Sequence, residues 1–356
     1  MNNTNNKILI IAGEVSGDRH AADLVQNLKK IWPDLRFSGI GGDRMEAAGV
    51  KLLYHNSRFA VLGLAEIIRH IPFFRSVLTR LKQEFNQVAA VILIDYPGFN
   101  LRVARLAKKS GLPVIYYICP QMWAWGEGRI KKFKKFIDLP LVIFKFEETF
   151  FRKHGINAHF VGHPLVDQIT ETLPEADFRA KYNLPEGAPI VGIFPGSREN
   201  EVKLLLPVMA KAVSNVQVQF PDIIPVVASA PHLSPGIFSD YLAGGLNFVT
   251  VKGDVHSLMK HSYAALVASG TATLELGYLQ TPAVVLYRVS PFTYWLGRRL
   301  VKINNIALAN IVLNKTVFPE LIQHEANVDR TSEVLLRYFN DGEYYKSVET
   351  ELGKIR

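Results

Sequence analysis

The feature that most constrains this chain is a repeated unit. A run of about five apolar residues without polar alternation ends in a turn, and residues apolar at helical spacing follow. Strands apolar on both faces must be covered on both, which is the condition of a parallel sheet flanked by helices. The first unit is Lys7-Ile8-Leu9-Ile10-Ile11-Ala12, closed by Gly13 and followed by Ala21, Leu24, Val25 and Leu28. It recurs at 37–40 before a helix at 44–48, at 88–94 before 101–109, at 114–118 before a long loop, and at 141–144 before a helix reaching His154. After Val161-Gly162-His163-Pro164 the segment 167–189 turns polar and Pro-rich. The pattern then restarts, with strands predicted at 190–194, 225–228, 248–251, 264–268 and 282–286. The expected fold is α/β, with two doubly wound Rossmann-like domains, 1–166 and 167–330, facing across a cleft. A helical tail at 331–356 is expected to pack on an N-terminal domain, its own or a partner's.

Size and composition agree with two cores. The chain has 356 residues, 48% of them apolar and 21% charged, far from the composition of a disordered chain. Its single cysteine, Cys119, excludes an internal disulfide and suits a reducing compartment. Met1-Asn2-Asn3-Thr4-Asn5-Asn6 lacks the basic and apolar regions of a signal peptide, so a cytoplasmic location is expected. The most apolar stretch, 283–300, is broken by Arg288, Pro291 and Arg298 and is not read as a membrane span. A net charge of +9 favours a polyanionic partner without choosing among nucleic acid, anionic lipid and phosphorylated substrate.

In open α/β sheets ligands sit beyond the carboxyl ends of the strands. The first such loop, Gly13-Glu14-Val15-Ser16-Gly17-Asp18-Arg19-His20, lacks G-x-G-x-x-G spacing, and Glu14 would repel a pyrophosphate. Ser16 or Asp18 could simply cap the helix, whereas Glu14 suits a sugar hydroxyl; Glu14, Ser16, Asp18 and His20 are taken together as acceptor-pocket candidates. The turn Gly39-Ile40-Gly41-Gly42-Asp43 could bring N–H groups to a phosphate, or could be only a tight turn. Asp95 ends the most apolar strand and precedes Tyr96-Pro97-Gly98-Phe99-Asn100; burial there would raise its pKa toward that of a working base, the alternative being a turn-forming Asp. Beyond another strand, Cys119-Pro120-Gln121-Met122-Trp123-Ala124-Trp125-Gly126 presents Gln121, Trp123 and Trp125 as pocket candidates, with core packing the alternative for the indoles.

In the second half, Pro195-Gly196-Ser197-Arg198-Glu199-Asn200-Glu201 follows a strand, and Arg198 could clamp a diphosphate or merely pair with Glu201. Ala268-Ser269-Gly270-Thr271-Ala272-Thr273-Leu274-Glu275 follows another strand and opens a helix, which suits phosphate at the hydroxyls and N–H groups and ribose at Glu275.

Taken together, Gly13-Glu14-Val15-Ser16-Gly17-Asp18, Ile94-Asp95-Tyr96-Pro97-Gly98-Phe99-Asn100, Gln121-Met122-Trp123-Ala124-Trp125, Val161-Gly162-His163-Pro164, Pro195-Gly196-Ser197-Arg198, 268–275, Asn310 and Pro319-Glu320-Leu321-Ile322-Gln323 resemble the lipid-A-disaccharide synthase family nearly end to end. The resemblance implies a GT-B glycosyltransferase, inverting and metal-independent, with no cofactor. It implies UDP-2,3-diacylglucosamine as donor and 2,3-diacylglucosamine 1-phosphate (lipid X) as acceptor. By the same resemblance Asp95 is the base on the acceptor 6-hydroxyl, and Arg198, Glu201, Ser269, Gly270, Thr271, Ala272, Thr273, Glu275, Asn310 and Gln323 form the UDP side.

Acylated substrates give meaning to two segments that mix cations with large apolar residues. These are His70-Ile71-Pro72-Phe73-Phe74-Arg75, preceded by 62–68, and Arg129-Ile130-Lys131-Lys132-Phe133-Lys134-Lys135-Phe136. They are expected at an anionic membrane surface, the cytoplasmic face of the inner membrane of a Gram-negative bacterium, unless each is a helix packed on its own core. A homodimer is compatible with an exchanged tail. Two other readings compete: a UDP-sugar 2-epimerase of the same plan, and a nucleic-acid binder, which rests on charge alone and is not expected.

Overall fold

The structure is a computed structural model that describes residues 6–59, 64–124, 127–169, 172–230, 233–234, 236–243, 247–290, 294 and 305–355. The chain divides into two compact units, Met1–Pro164 and Leu165–Arg356.

The first unit holds a sheet of β1 (Lys7–Ala12), β2 (Arg36–Gly41), β3 (Val50–His55), β4 (Ala90–Ile94), β5 (Val114–Tyr117), β6 (Leu139–Val142) and β7 (His159–Phe160), in the order β3-β2-β1-β4-β5-β6-β7. The second holds β8 (Ile190–Phe194), β9 (Ile224–Ser229), β10 (Val249–Lys252), β11 (Ala264–Ala268), β12 (Ala283–Tyr287) and β13 (Glu320–Ile322), in the order β10-β9-β8-β11-β12-β13. Neighbouring strands such as β1 and β4, or β8 and β11, run parallel.

The two-faced burial predicted from apolar runs is visible residue by residue. Leu9, Ile11, Val91 and Leu93 join a core with Val77, Phe99 and Val103. The alternate residues Ile10, Ala12, Ile92 and Ile94 join another with Ala21, Val25 and Met45. Three strands carry no such signal in the sequence. β3 is an edge strand of half-buried residues, β7 is a short exposed edge, and β13 spans Glu320 to Ile322 only.

Strand order reverses between β1 and β4 in one sheet and between β8 and β11 in the other. Loops leaving the carboxyl ends of strands on either side of such a reversal diverge and open a crevice. The loops that follow β1, β4, β8 and β11 are those that begin at Gly13, Asp95, Pro195 and Ser269.

The tail departs from expectation. Helices Val328–Asn340 and Gly342–Leu352 bury Leu335, Tyr338, Val348 and Leu352 in the second unit's own core, and the Tyr338 hydroxyl donates to the Ala283 carbonyl at 3.0 Å. The apolar stripe expected to dock on an N-terminal domain is consumed by β12 and the helix Glu199–Gln217, so it gives no argument for a partner.

The basic-aromatic segments are described in part. Phe73 and Phe74 are half-buried and join Phe59 and Phe99 in an edge-packed aromatic cluster, with ring centroids 5.4 to 5.8 Å apart. Phe133 is fully buried while Lys131, Lys132, Lys134 and Lys135 are exposed. Of the stretch 62–68, residues 62 and 63 lie outside the described residues. Among the described residues no helix is long and apolar enough to cross a membrane.

Candidate active site

In the first unit a cleft of about 670 Å³ lies over the ends of β1 to β3, lined by Glu14, Val15, Arg44, His55, Phe59 and Tyr96 among others. Its wall depends on a close approach: the Tyr96 ring lies where any Cβ at Gly13 would stand, so the loop needs glycine there. Asp95 and Tyr96 both have left-handed backbone, φ 43° and 46°, rare for residues other than glycine and a form of strain that concentrates at functional sites.

Asp95 is half-buried, and that burial raises its carboxyl above the usual range, opposed by a hydrogen bond from the Tyr96 N–H. Glu14, although exposed overall, is also raised, first by partial desolvation of its carboxyl and then by the Asp95 charge. Carboxyls raised by desolvation at a strand end have the character that proton transfer requires.

Asp18 has another occupation. It is 5% exposed and its carboxylate accepts from the N–H groups of Gly42 at 2.6 Å and of Arg44 and Met45 at 3.2 Å. It lines the cleft floor, but its lone pairs close the turn after β2. The Gly42 N–H, one of those in the turn 39–43 that could have met a phosphate, already holds this internal anion. Ser16 is exposed in the first turn of the helix Val15–Ile31 and is not among the cleft residues. His20 is half-buried with Nδ1 partnerless, and its pKa is lowered by burial and then by Arg19. Burial, and next the neighbouring His20, bring His163 down to about 4, so it is neutral at physiological pH.

In the loop after β5 the described indole takes the packing role weighed as its alternative. Gln121 is exposed and Trp125 lies outside the described residues. Trp123 donates its indole N–H to Glu147 at 3.0 Å and packs edge-on against Phe146, at a centroid distance of 5.1 Å. Glu147 is 1% exposed, also accepts from the Ile143 and Phe144 N–H groups, and is pushed by burial up to about 7. It escaped the sequence reading because an acid in the amphipathic helix Lys145–Lys153 looks like a solvated face.

In the second unit a cleft of about 400 Å³ gathers Arg198, Glu201, Ser269, Gly270, Thr271, Ala272 and Glu275, contributed by the loops after β8 and β11. The helix Thr271–Tyr278 begins at its wall, so the positive end of the helix dipole faces the cavity. The Arg198 side chain is 82% exposed and pairs with Glu201 at 3.1 Å, the ion pair weighed as its alternative role. A surface pair of this kind is worth at most about 1 kcal/mol. Glu275 lies 3.8 Å from His256, which sequence reasoning did not single out, as it did not Ser229 and Met259 on the same wall.

Three residues expected on the UDP side are not among those lining this cleft, and their side chains bond within the protein. Thr273 is fully buried, donating to the Gly270 carbonyl at 2.7 Å and accepting the Leu308 N–H at 2.9 Å. Asn310, 0% exposed, donates to the Phe318 carbonyl and Glu320 and accepts from the Val317 and Phe318 N–H groups, all within 2.9 Å. Gln323 pairs both ways with the Val289 backbone at 2.9 and 3.0 Å. Their hydrogen-bonding capacity builds the frame around β12 and β13. Ser269, which lines the cleft, also spends its hydroxyl proton on the Ile306 carbonyl at 3.1 Å.

Comparison with known proteins bears on what this frame serves. Residues 8–354 match the model of the family described as lipid-A-disaccharide synthetase. The lipid-A-disaccharide synthase of Coxiella burnetii (strain Dugway 5J108-111) is 39% identical over 355 residues, 99% of this chain and 94% of that protein. That of Geobacter sulfurreducens is 39% identical over 357 residues, 99% of this chain and 93% of that one. Among solved structures, UDP-GlcNAc 2-epimerase from Neisseria meningitidis bound to UDP-GlcNAc is similar with a TM-score of 0.63 at 13% identity, covering 96% of this chain and 94% of that chain. The calicheamicin glycosyltransferase CalG4 has the same TM-score at 16% identity, covering 98% and 92%. At such identities these two likenesses concern the two-domain α/β fold alone. The family match and the curated relatives run almost the full length of both partners, and the chain therefore belongs to the lipid-A-disaccharide synthase family and is a glycosyltransferase.

Proposed function

We propose that the chain transfers 2,3-diacylglucosamine from UDP-2,3-diacylglucosamine to the 6-hydroxyl of lipid X, giving the β-1,6 lipid A disaccharide 1-phosphate and UDP. The transfer is inverting. The Asp95 carboxylate takes the proton of the 6-hydroxyl as that oxygen bonds to the donor's anomeric carbon and the bond to UDP breaks. The leaving diphosphate gains negative charge, which the Arg198 guanidinium and the start of the helix Thr271–Tyr278 meet without calling on a metal. Glu14 orients sugar hydroxyls, and Glu275 takes the ribose. The observation that carries the reading is Asp95 itself, a desolvated carboxyl on a left-handed turn at the first unit's point of strand reversal.

Mass spectrometry of the products from a mixture of the two lipids tests donor, acceptor and linkage class at once. Disaccharide 1-phosphate and UDP should appear together, and only when both lipids are present. Isomerisation of the UDP-sugar without acceptor would instead support the epimerase chemistry of the fold's neighbours.

Acyl chains tether both substrates to a bilayer, and the chain meets that surface peripherally, at anionic lipid on the cytoplasmic face of the inner membrane. The exposed Lys131, Lys132, Lys134 and Lys135 supply the attraction, while Phe73 and Phe74, held in their aromatic cluster, contribute packing. Replacing Lys131 and Lys132 should weaken sedimentation with anionic vesicles more than replacing Phe73 and Phe74. Equal binding by the lysine variant removes this helix from the interface.

A further inference from the structure

We propose that Asn100 and Tyr116 are positioning residues that together lock the strand-to-helix turn presenting Asp95. This rests on the reading of Asp95 as the base.

β4 ends at Ile94, and the chain then passes through two consecutive left-handed residues before the helix Pro97–Lys109 begins. Each such residue costs about 1 kcal/mol or more when it is not glycine, so the turn persists only if its surroundings over-determine it. Two carbonyls leave the sheet at this point, and both are caught. The Asn100 amide donates to the Ile94 carbonyl at 3.0 Å and to the Asp95 carbonyl at 2.8 Å. The Tyr116 hydroxyl donates to the same Asp95 carbonyl at 2.5 Å.

Neither donor is a casual surface contact. Asn100 and Tyr116 are both 0% exposed. Asparagine is a poor residue for the body of a helix and costly to bury, yet here it occupies the first turn of the helix Pro97–Lys109 with its amide aimed back at the strand end. Tyr116 lies on β5, paired beside Leu93 of β4, where phenylalanine would fill the same core volume. Its hydroxyl therefore adds a polar group to the core for the sake of the bond to Asp95. Burial, and then the Asp95 charge, raise that hydroxyl well above 10, so it remains a donor wherever the enzyme works.

A carboxylate abstracting a proton must sit within hydrogen-bond reach of it, and a displacement of about 1 Å can cost on the order of 100-fold in rate. Both donors bond the Asp95 main-chain carbonyl rather than its carboxylate.

The test uses the full chain and the variants Tyr116→Phe, which removes one oxygen, and Asn100→Ala, each normalised to its UDP-binding sites so that only folded enzyme is counted. The expected result is a fall in kcat of about 10-fold or more, with KM for both lipids and UDP affinity unchanged and with the acid limb of the pH–rate profile moved. Wild-type kcat and an unmoved acid limb in both variants, with only Tm lowered, overturn the proposal. Asp95→Asn, run alongside, separates the two ideas. Lost turnover there with normal kcat in both clamp variants overturns the clamp alone, whereas full turnover in Asp95→Asn overturns the base on which it acts.

Discussion

The two units share a strand order up to their sixth strand, yet they load their points of reversal with opposite chemistry. The first presents carboxyls, Asp95 and Glu14, both raised by desolvation, on a strained and close-packed turn. The second presents a guanidinium, small hydroxyl residues and the start of a helix, with an exposed Arg198 paired to a half-buried Glu201. On the proposed reading, one crevice receives a proton and the other an anion. A common scaffold thus fixes where chemistry happens, while strain, burial and charge at a few loop positions decide which chemistry it is.

The contrast breaks most visibly at Asp95. Asp95→Asn should lower turnover by about 1,000-fold while leaving UDP affinity intact, since general-base catalysis is removed from one unit and the other is untouched. The same variant should be more stable at neutral pH. A carboxyl whose folded pKa is raised contributes stability below its ordinary range and loses it as pH rises through the raised value, so at pH 7 its charge is a net cost. Thermal melts at pH 7 check this: a variant that is inactive and also less stable would mark Asp95 as a structural turn residue.

The second unit answers to a smaller change. Arg198→Ala should weaken UDP binding roughly 10- to 100-fold, the worth of a charge-assisted contact to a diphosphate, with little effect on Tm because the side chain is 82% exposed. A UDP titration with unchanged affinity would take Arg198 out of the anion site and leave the helix start to serve alone.

Where the fold was legible, it was so through periodicity. The all-apolar runs that became β1, β4, β8 and β11 bury both faces, and the loops that follow them line or adjoin the two clefts. The positions of Asp95 and Arg198 were readable because each follows a strand or the turn that ends it, and that of Glu275 because it lies one turn into the helix after β11. Asn310, Gln323, Thr273 and Asp18 have the same residue chemistry but serve the frame, and the difference lies in backbone partners far away in sequence. Asn310 shows it best, with every bond of its amide met by residues 317 to 320. Asn310→Ala should cost about 2 to 4 kcal/mol in a denaturant melt, leaving buried groups unpaired, while UDP affinity of the folded protein stays within about twofold. An equal loss in both would return Asn310 to the ligand side.

Glu147 extends the comparison from substrate sites to the frame of the first unit. It is as buried as a core residue yet ionisable near neutrality, and its carboxylate ties the Trp123 loop to the backbone after β6. Its folded pKa of about 7 lies above the ordinary 4.5, so its contribution is fully present below pH 4.5 and is lost as pH rises through 7. Wild-type Tm should therefore fall between pH 5 and pH 8 relative to Glu147→Gln, by a few degrees at roughly 2 to 4 °C per kcal/mol. The amide cannot accept at both oxygen positions, so the variant starts lower at pH 5, and the slope rather than the offset is the measure. Parallel curves would mean that the carboxylate stays ionised throughout, its three hydrogen bonds outweighing desolvation. The first unit would then hold its raised carboxyls only at the substrate crevice, and the contrast with the second would be confined to the sites themselves.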